Sequence, residues 1–205
     1  MKLDLRNEES IAFIISAPSG VGKTTIRKEL ALQAKDLRYS VSYTTRPPRT
    51  GEIDGQDYHF VTREVFQEEI KKDSFLEWAQ VHQHFYGTPA DPIMAAMDGK
   101  NDILLDVDVQ GAYALQRKLQ GAVFIFLLPP SWKVLEERLR NRRTETEQEI
   151  SERLATARRE IQRCYDYDYL IVNNELEETV HTLKSIMSTE HCRPARMKSA
   201  LQKIW

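Results

Sequence analysis

The feature that most constrains this chain is an apolar run followed at once by a glycine-rich turn and a helical pattern. Residues 11–15 are Ile-Ala-Phe-Ile-Ile, and residues 16–25 read Ser-Ala-Pro-Ser-Gly-Val-Gly-Lys-Thr-Thr. A short, uniformly apolar run predicts a strand buried in a parallel sheet. Ile26, Leu30 and Leu32, with charged residues between them, predict an amphipathic helix. This order of elements predicts a phosphate-binding loop at the start of a helix.

The turn has the residues needed to bind a nucleoside triphosphate. Gly20 and Gly22 allow tight backbone turns whose N–H groups point at phosphates. Lys23 can reach the terminal phosphates, and the Thr24 hydroxyl can ligate Mg²⁺ that is bound together with ATP. Ala17 departs from the usual pattern, which has glycine there, and the alternative is a surface turn with an incidental lysine. The expected ATP-binding residues of the loop are Ala17, Pro18, Ser19, Gly20, Val21, Gly22, Lys23, Thr24 and Thr25.

Length and composition limit the class of protein. The 205 residues suffice for one full core with inserted subdomains. A net charge of −2 gives a nucleic-acid role no electrostatic support. The two cysteines, Cys164 and Cys192, lack the spacing of a zinc site, and they favour a reducing compartment. The N-terminus is too charged for a secretory signal, and no apolar run is long enough to span a bilayer. We therefore expect a soluble cytoplasmic protein without membrane or nucleic-acid partners.

Apolar or β-rich runs alternate with helical patterns along the chain. This alternation predicts an α/β fold whose parallel sheet is covered by helices on both faces. Residues 37–90 and 131–163 break the alternation and are interpreted as insertions that face a ligand. The tail, residues 188–205, contains Pro194 and several basic residues, and it could dock in cis or pair with another chain. The runs lie at residues 11–16, 40–43, 58–61, 103–109, 123–128 and 169–173.

A second motif lies in the first insertion. Residues 44–60 match every fixed position of the pattern T-T-R-x-x-R-x-x-E-x-x-G-x-x-Y-x-F. This is the signature of guanylate kinases, and the chain resembles that family over roughly residues 10–187. The resemblance implies ATP-dependent phosphorylation of GMP, and of dGMP, to the diphosphate in purine nucleotide metabolism. Further matching segments are Phe75-Leu-Glu-Trp78, Tyr86-Gly-Thr88, Asp106-Val-Asp-Val-Gln-Gly111, Arg142-Arg-Thr-Glu-Thr146 and Ile171-Val-Asn173.

The same resemblance implies how the single domain, residues 1–205, is divided. A P-loop core with a parallel sheet would comprise about residues 8–36, 91–130 and 164–187. The GMP-binding insertion would be about residues 37–90, and a helical lid would be about residues 131–163. The tail could also support a homodimer or a higher oligomer.

Arg46 and Arg49 supply charge for a monophosphate. They flank two prolines whose backbone is stiff, so that both guanidinium groups can grip one phosphate. Tyr58 and Tyr86 can donate hydroxyl hydrogen bonds to the same group. The alternatives are a solvated turn for the arginines and ordinary sheet packing for the tyrosines.

Glu77 lies between Leu76 and Trp78, an apolar setting in which a free carboxylate is costly. Guanine presents N1–H and its N2 amino group side by side, and one carboxylate can accept from both. Adenine lacks this pair of donors, and a site of this kind can discriminate by as much as ~10⁴-fold. The alternative is that Glu77 pairs with a buried arginine.

Asp106 and Asp108 are predicted to end one strand with both carboxylates on the same face, toward the ligand crevice. One could orient the water shell of Mg²⁺ and the other could contact GMP, and the alternative is a pair of surface acids. By resemblance, Ser42 and Thr88 also contact the base, with an aspartate nearby.

The second insertion carries arginines at helical spacing. Arg138 and Arg142 lie four residues apart on one helix face, and Arg153 lies beside the apolar stripe of a second helix. By resemblance, Arg142 and Arg153 belong to a mobile lid that closes on the ATP phosphates, with Arg138 as a third ATP-binding residue. The alternative is a solvated helix face.

The implied reaction needs no protein base, because the GMP phosphate oxygen is already ionised and acts as the nucleophile. The expected catalytic residues are Lys23, Arg46, Arg142 and Arg153, assisted by Mg²⁺. Two rival functions remain: a related ribose bisphosphate kinase, and a non-catalytic module that binds phosphopeptides. Glu77 and the complete signature argue against the first, and Lys23 with the lid arginines argues against the second.

Overall fold

The computed structural model describes residues 2–6, 10–34, 36–81, 83–141 and 146–204. Its strands are β1 (Leu3–Asp4), β2 (Ala12–Ser16), β3 (Arg38–Ser40), β4 (Tyr43–Thr44), β5 (His59–Phe60), β6 (Phe75–Val81), β7 (His84–Pro89), β8 (Ile103–Asp106), β9 (Leu119–Gln120), β10 (Val123–Leu128) and β11 (Tyr169–Val172). Its α-helices are α1 (Lys23–Gln33), α2 (Arg63–Lys71), α3 (Asp91–Asp98), α4 (Val109–Gln116), α5 (Trp132–Arg140), α6 (Glu147–Ile161), α7 (Leu176–His191) and α8 (Lys198–Gln202).

A five-stranded parallel sheet forms the centre of the molecule, in the order β11-β10-β2-β8-β3. Along β2, Phe13 and Ile15 pack into the core on one face, with α1 and α7. Ala12 and Ile14 pack into the core on the other face, with α3 and α4. Both faces of the sheet are therefore covered, and this confirms the predicted α/β fold with a parallel sheet.

A separate four-stranded sheet, in the order β5-β4-β7-β6, lies within the first predicted insertion. Its strands β6 and β7 pair antiparallel, and α2 covers one face through a small core of Phe66, Phe75 and Phe85. Strand β3 does not belong to this sheet, because Arg38–Ser40 pair with β8 of the central sheet. The predicted run at 40–43 therefore spans the end of one sheet and the start of another.

The described part of the second predicted insertion is helical, and it packs on the glycine-rich turn. Leu135 and Leu139 of α5 are fully buried, and Ile150 and Ala157 of α6 join the same core. A Cβ atom added to Gly20 would lie 3.0 Å from Leu139. The close approach of α5 therefore requires a residue without a side chain in the loop.

The tail begins inside α7, which continues to His191. Beyond it, the Arg196 side chain is buried and donates to the carbonyl of Gly121 at 2.6 Å and to that of Leu5 at 3.4 Å. The tail thus docks in cis on the segments that carry β1 and β9. None of the helices in the described part of the chain has both the length and the apolar character needed to cross a membrane.

Candidate active site

The glycine-rich turn connects β2 to α1, as the sequence predicts. Gly20 and Gly22 have φ values of 92° and 105°, in the left-handed region that favours glycine. Gly22 is the residue that caps α1, and its carbonyl accepts from the N–H groups of Thr25 and Ile26 at 3.1 and 3.2 Å. The first N–H groups of the helix consequently face the turn, where an anion can bind them.

The turn opens onto a cleft of about 310 Å³ between the central sheet, the first predicted insertion (residues 37–90) and α6. Most predicted site residues line this cleft, although they come from six separate segments of the chain. Val21, Arg46 and Arg138 lie beside its wall rather than on it, and Arg142 lies outside the described residues. The predicted residues on the wall are Ala17, Pro18, Ser19, Gly20, Gly22, Lys23, Thr24, Thr25, Ser42, Arg49, Tyr58, Glu77, Tyr86, Thr88, Asp106, Asp108 and Arg153.

The Lys23 ammonium group is held at the carboxyl end of β8. Its Nζ donates to the Val107 carbonyl at 2.7 Å and lies 2.8 Å from Oδ1 of Asp106. Burial alone would lower the pKa of Lys23, but the Asp106 carboxylate together with Tyr58 and the Asp108 charge outweighs burial, and the pKa is raised overall. Lys23 is therefore a fixed positive charge at the mouth of the phosphate-binding turn.

The two arginines of the acceptor motif occupy different places. Arg49 lines the cleft, whereas the guanidinium group of Arg46 is buried against Glu52, with Nη1 and Nη2 at 2.9 and 2.8 Å from the carboxylate oxygens. Glu52 also accepts from the Arg49 N–H at 2.7 Å. In this structure Arg49 is on the cleft wall and Glu52 holds Arg46, and the binding of one phosphate by both guanidinium groups stays a prediction. Glu52 is a fixed position of the motif, but its partner could not be identified from the sequence.

The Glu77 carboxylate is buried on the cleft wall, 7% exposed. Its Oε1 accepts from the Thr88 hydroxyl at 2.5 Å, across the pairing of β6 with β7. Burial raises the pKa of Glu77 to about 7. The hydrogen bond from Thr88 opposes this shift, and the charge of Asp108 adds to it. A Cβ atom on Gly111 would lie 3.0 Å from Glu77, so the start of α4 closes one side of this carboxylate. The Glu77 carboxylate is therefore a buried hydrogen-bond acceptor on the cleft wall.

Asp108 is not a strand residue, which corrects the prediction. β8 ends at Asp106, and Asp108 is the N-cap of α4, where its Oδ1 accepts from the Gly111 N–H at 2.8 Å. The predicted alternation on one strand therefore fails at this residue. Both carboxylates nevertheless line the cleft, since the loop that follows β8 runs along it.

Helices α5 and α6 contact the turn through two of the predicted arginines. Arg153 of α6 lies on the cleft wall, with Nη1 at 3.3 Å from the Ser19 hydroxyl oxygen. Arg138 of α5 donates to the Val21 carbonyl at 3.0 Å, and Asn173 donates to the same carbonyl at 2.6 Å. Arg138 accordingly supports the back of the turn in this structure.

Two further residues of α6 face the cleft and were not predicted. Thr156 and Glu160 line it together with Arg153, at spacings of three and four residues along one helix face. Burial raises the pKa of Glu160 to about 7, while the Lys23 charge lowers it and the Asp108 charge raises it. Helical spacing from Arg153 is the signal in the sequence that could have identified both residues.

The donor set beside the turn consists of hard oxygen atoms. The Thr24 hydroxyl and the carboxylates of Asp106 and Asp108 all line the cleft. Over the described residues, no group of three or more His, Cys, Asp or Glu side chains could hold a metal ion. A cation here would take most of its ligands from phosphates and water, which is how Mg²⁺ is usually bound with a nucleotide. The residues present fit Mg²⁺ in that mode.

Comparisons with known proteins agree with this geometry. A family model described as guanylate kinase matches residues 9–190. A guanylate kinase of Syntrophotalea carbinolica is 48% identical over 195 residues, covering 95% of this chain and 93% of that relative. One of Geobacter sulfurreducens is 44% identical, with 96% and 97% covered. The crystal structure of guanylate kinase from Anaplasma phagocytophilum superposes with a TM-score of 0.74 at 34% identity, covering 91% of this chain and 89% of that one.

Proposed function

This chain belongs to the guanylate kinase family, and on this premise we propose how its cleft performs the ATP-dependent phosphorylation of GMP to GDP. The observation that carries the choice of acceptor is the buried Glu77 carboxylate on the wall of the cleft that contains the glycine-rich turn. One cleft thereby combines a cradle for phosphates with an acceptor group suited to guanine.

The donor half of the site is the turn at residues 17–25. Its backbone N–H groups and the positive end of α1 bind the phosphates of ATP, and Lys23 contributes the nearest fixed charge. Mg²⁺, when bound with ATP, supplies positive charge to the phosphoryl group that is transferred. Thr24 is the residue that would hold it, and Asp106 or Asp108 would orient its water ligands.

The acceptor half is the GMP-binding insertion. Glu77 accepts from the N1–H and N2 amino groups of guanine, and its Thr88 partner fixes the carboxylate. Ser42 lines the same cleft. Arg49, Tyr58 and Tyr86 donate to the monophosphate, and Arg46 joins them when the phosphate competes with Glu52 for its guanidinium group.

The transfer is a displacement in which an ionised oxygen of GMP bonds to the terminal phosphorus of ATP while the bond from that phosphorus to the bridging oxygen breaks. No proton has to be removed by the protein. The chain contributes alignment and positive charge, for which we propose Lys23, Arg46, Arg142 and Arg153. Exclusion of water by the lid, residues 131–163, prevents transfer to water.

We further propose the division into a core, a GMP-binding insertion and a lid, with dGMP as a second acceptor and the cytoplasm as the compartment. The predicted homodimer or higher oligomer stays a prediction. Sedimentation of the purified chain at several concentrations measures its state of association directly.

The function is tested by a coupled ADP-release assay with ATP, Mg²⁺ and a panel of acceptors: GMP, dGMP, AMP, UMP and ribose bisphosphate. We expect turnover with GMP and dGMP and little with the others, because only guanine pairs with Glu77. Failure of GMP while another acceptor works would overturn the assignment.

Lys23→Ala tests the donor half separately. We expect turnover to be abolished while GMP binding, measured by calorimetry, survives, since Lys23 acts on the phosphates of ATP. Intact turnover in this variant would contradict the role given to Lys23.

A further inference from the structure

The ATP-site helix and the acceptor insertion are joined by a buried ion pair that lies outside the cleft. Asp57 of the insertion is 3% exposed, and its Oδ1 accepts a hydrogen bond from Nη2 of Arg27 on α1. Lys28 lies at the same oxygen, with Nζ at 3.1 Å, but its side chain is 53% exposed. Nη1 of Arg27 donates to the Gln56 carbonyl at 3.1 Å. Arg27 thus binds the insertion through two separate acceptors.

The ion pair is fixed on both sides. Oδ2 of Asp57 accepts from the Ile53 N–H at 3.0 Å, which closes the turn over residues 53–57. The Arg27 guanidinium group lies over the ring of Tyr39, on β3 of the central sheet, at 4.5 Å from its centroid. Burial alone would raise the pKa of Asp57, but the Ile53 N–H, Lys28 and Arg27 outweigh it and lower the pKa overall. The carboxylate is therefore charged at neutral pH.

Arg27 and Asp57 are both close in sequence to residues that line the cleft. Arg27 lies one helical turn after Lys23, so α1 carries the ion pair and the phosphate-binding lysine on neighbouring turns. Asp57 immediately precedes Tyr58, which lines the cleft. The same loop contains Glu52, which holds Arg46. Arg27 and Asp57 are both absent from the cleft wall.

We propose that Arg27 and Asp57 are positioning residues that hold the phosphate-reading loop of the acceptor insertion, residues 46–58, at a set distance from the ATP-binding turn. This inference rests on the proposed function, since it concerns the spacing of two phosphate sites. A loop held in place before GMP arrives loses less conformational freedom on binding. A set distance between donor and acceptor also favours in-line transfer, where small displacements are costly.

Removal of Arg27 leaves a buried carboxylate with only the half-exposed Lys28 as its cation. The loop can then leave α1 and reach water, which lowers the population of the arrangement ready to bind GMP. We expect Arg27→Ala to raise the KM for GMP and lower kcat, with kcat/KM for GMP reduced about tenfold or more. The affinity for a non-hydrolysable ATP analogue should change less than twofold, because the hydrogen bonds of the Arg27 side chain within the described residues go to Gln56 and Asp57 and not to the turn.

The experiment compares Arg27→Ala, Arg27→Lys, Asp57→Ala and the double variant Arg27→Ala/Asp57→Ala. Steady-state assays vary GMP at saturating ATP, and calorimetry measures GMP and the ATP analogue separately. Arg27→Lys keeps the charge and should recover part of the loss. The double variant should lose less than the product of the two single losses, because both remove one interaction. Glu29→Ala is the matched control on the same helix, since Glu29 bonds to Gln33 within α1.

Three outcomes would overturn the proposal. The first is equal losses of GMP and ATP-analogue affinity, which indicate a merely structural role. The second is unchanged kinetics for GMP in Arg27→Ala, and the third is fully independent effects of the two single substitutions. If instead the wild-type chain fails to phosphorylate GMP at all, the proposed function itself is wrong. The two failures are therefore distinguishable in one series.

Discussion

Replacement of Glu77 by glutamine keeps the shape of the side chain and removes a buried negative charge. Glu77 is 7% exposed and its pKa is raised from 4.5 to about 7, first of all by burial. One pKa unit corresponds to about 1.4 kcal/mol, so ionised Glu77 lowers the free energy of unfolding by about 3 kcal/mol. Glutamine can still accept from Thr88 through its amide oxygen, and we therefore expect Glu77→Gln to fold and to be the more stable protein at alkaline pH.

The direction of the pH dependence of stability follows from the raised pKa of Glu77. The folded chain binds the proton of Glu77 more tightly than the unfolded chain does, so the wild type is relatively most stable below pH 4.5. This contribution is lost as the pH rises from 4.5 to about 7 and stays lost above it. The free energy of unfolding of Glu77→Gln minus that of the wild type should therefore grow by about 3 kcal/mol between pH 4.5 and 8.

Urea denaturation of both proteins without nucleotide, at half-unit intervals of pH, measures this difference. Glu152→Gln, on the exposed side of α6, controls for the general effect of removing one negative charge. GMP should reverse the order, because its donors pair with the ionised carboxylate of the wild type. A difference that stays constant from pH 4.5 to 8, or a wild type that is more stable at pH 8, would refute burial as the cause of the raised pKa.

Two further substitutions test the packing around the site. Gly87→Ala would place a Cβ atom 2.9 Å from Phe66 and 3.0 Å from Phe75, and we expect a loss of about 1–3 kcal/mol in the free energy of unfolding. GMP affinity should fall with it, measured by calorimetry beside urea denaturation, and an unchanged stability would contradict the close packing. Arg196→Ala removes the hydrogen bonds to the carbonyls of Leu5 and Gly121 and should cost about 1–3 kcal/mol with turnover retained. A loss of turnover at full stability would show that the tail acts on the site.

The elements and site residues that the sequence predicted are those defined by contiguous patterns. An apolar run, two glycines at left-handed positions and a following amphipathic stretch determine β2, the turn and α1 without reference to the rest of the chain. Glu77 was singled out from its apolar neighbours along the strand, and the structure does bury its side chain, although Trp78 itself is 47% exposed. Local sequence is sufficient wherever the physical cause acts over a few residues.

The partners of these residues were not predictable, because they come from distant parts of the chain. Asp57 and Arg27 are 30 residues apart in sequence, and nothing in either segment indicates the other. Asp108 was misplaced because period-two alternation continues past Asp106, whereas the hydrogen bond to the Gly111 N–H ends the strand and starts a helix. A single side-chain hydrogen bond at a helix N-cap can end a strand, and the alternation of residue types does not reveal that bond.

Two cations of the proposed site are each paired with a carboxylate. Lys23 has Asp106 at 2.8 Å and Arg46 has Glu52 at 2.8 Å. Positive groups assembled around a cleft would repel one another, and these carboxylates offset that repulsion. A phosphate dianion then competes for donors that are already oriented, so binding exchanges one anionic partner for another. Loss of Glu52 would accordingly leave Arg46 closer to the phosphate site but unoriented, and orientation is what bidentate recognition requires.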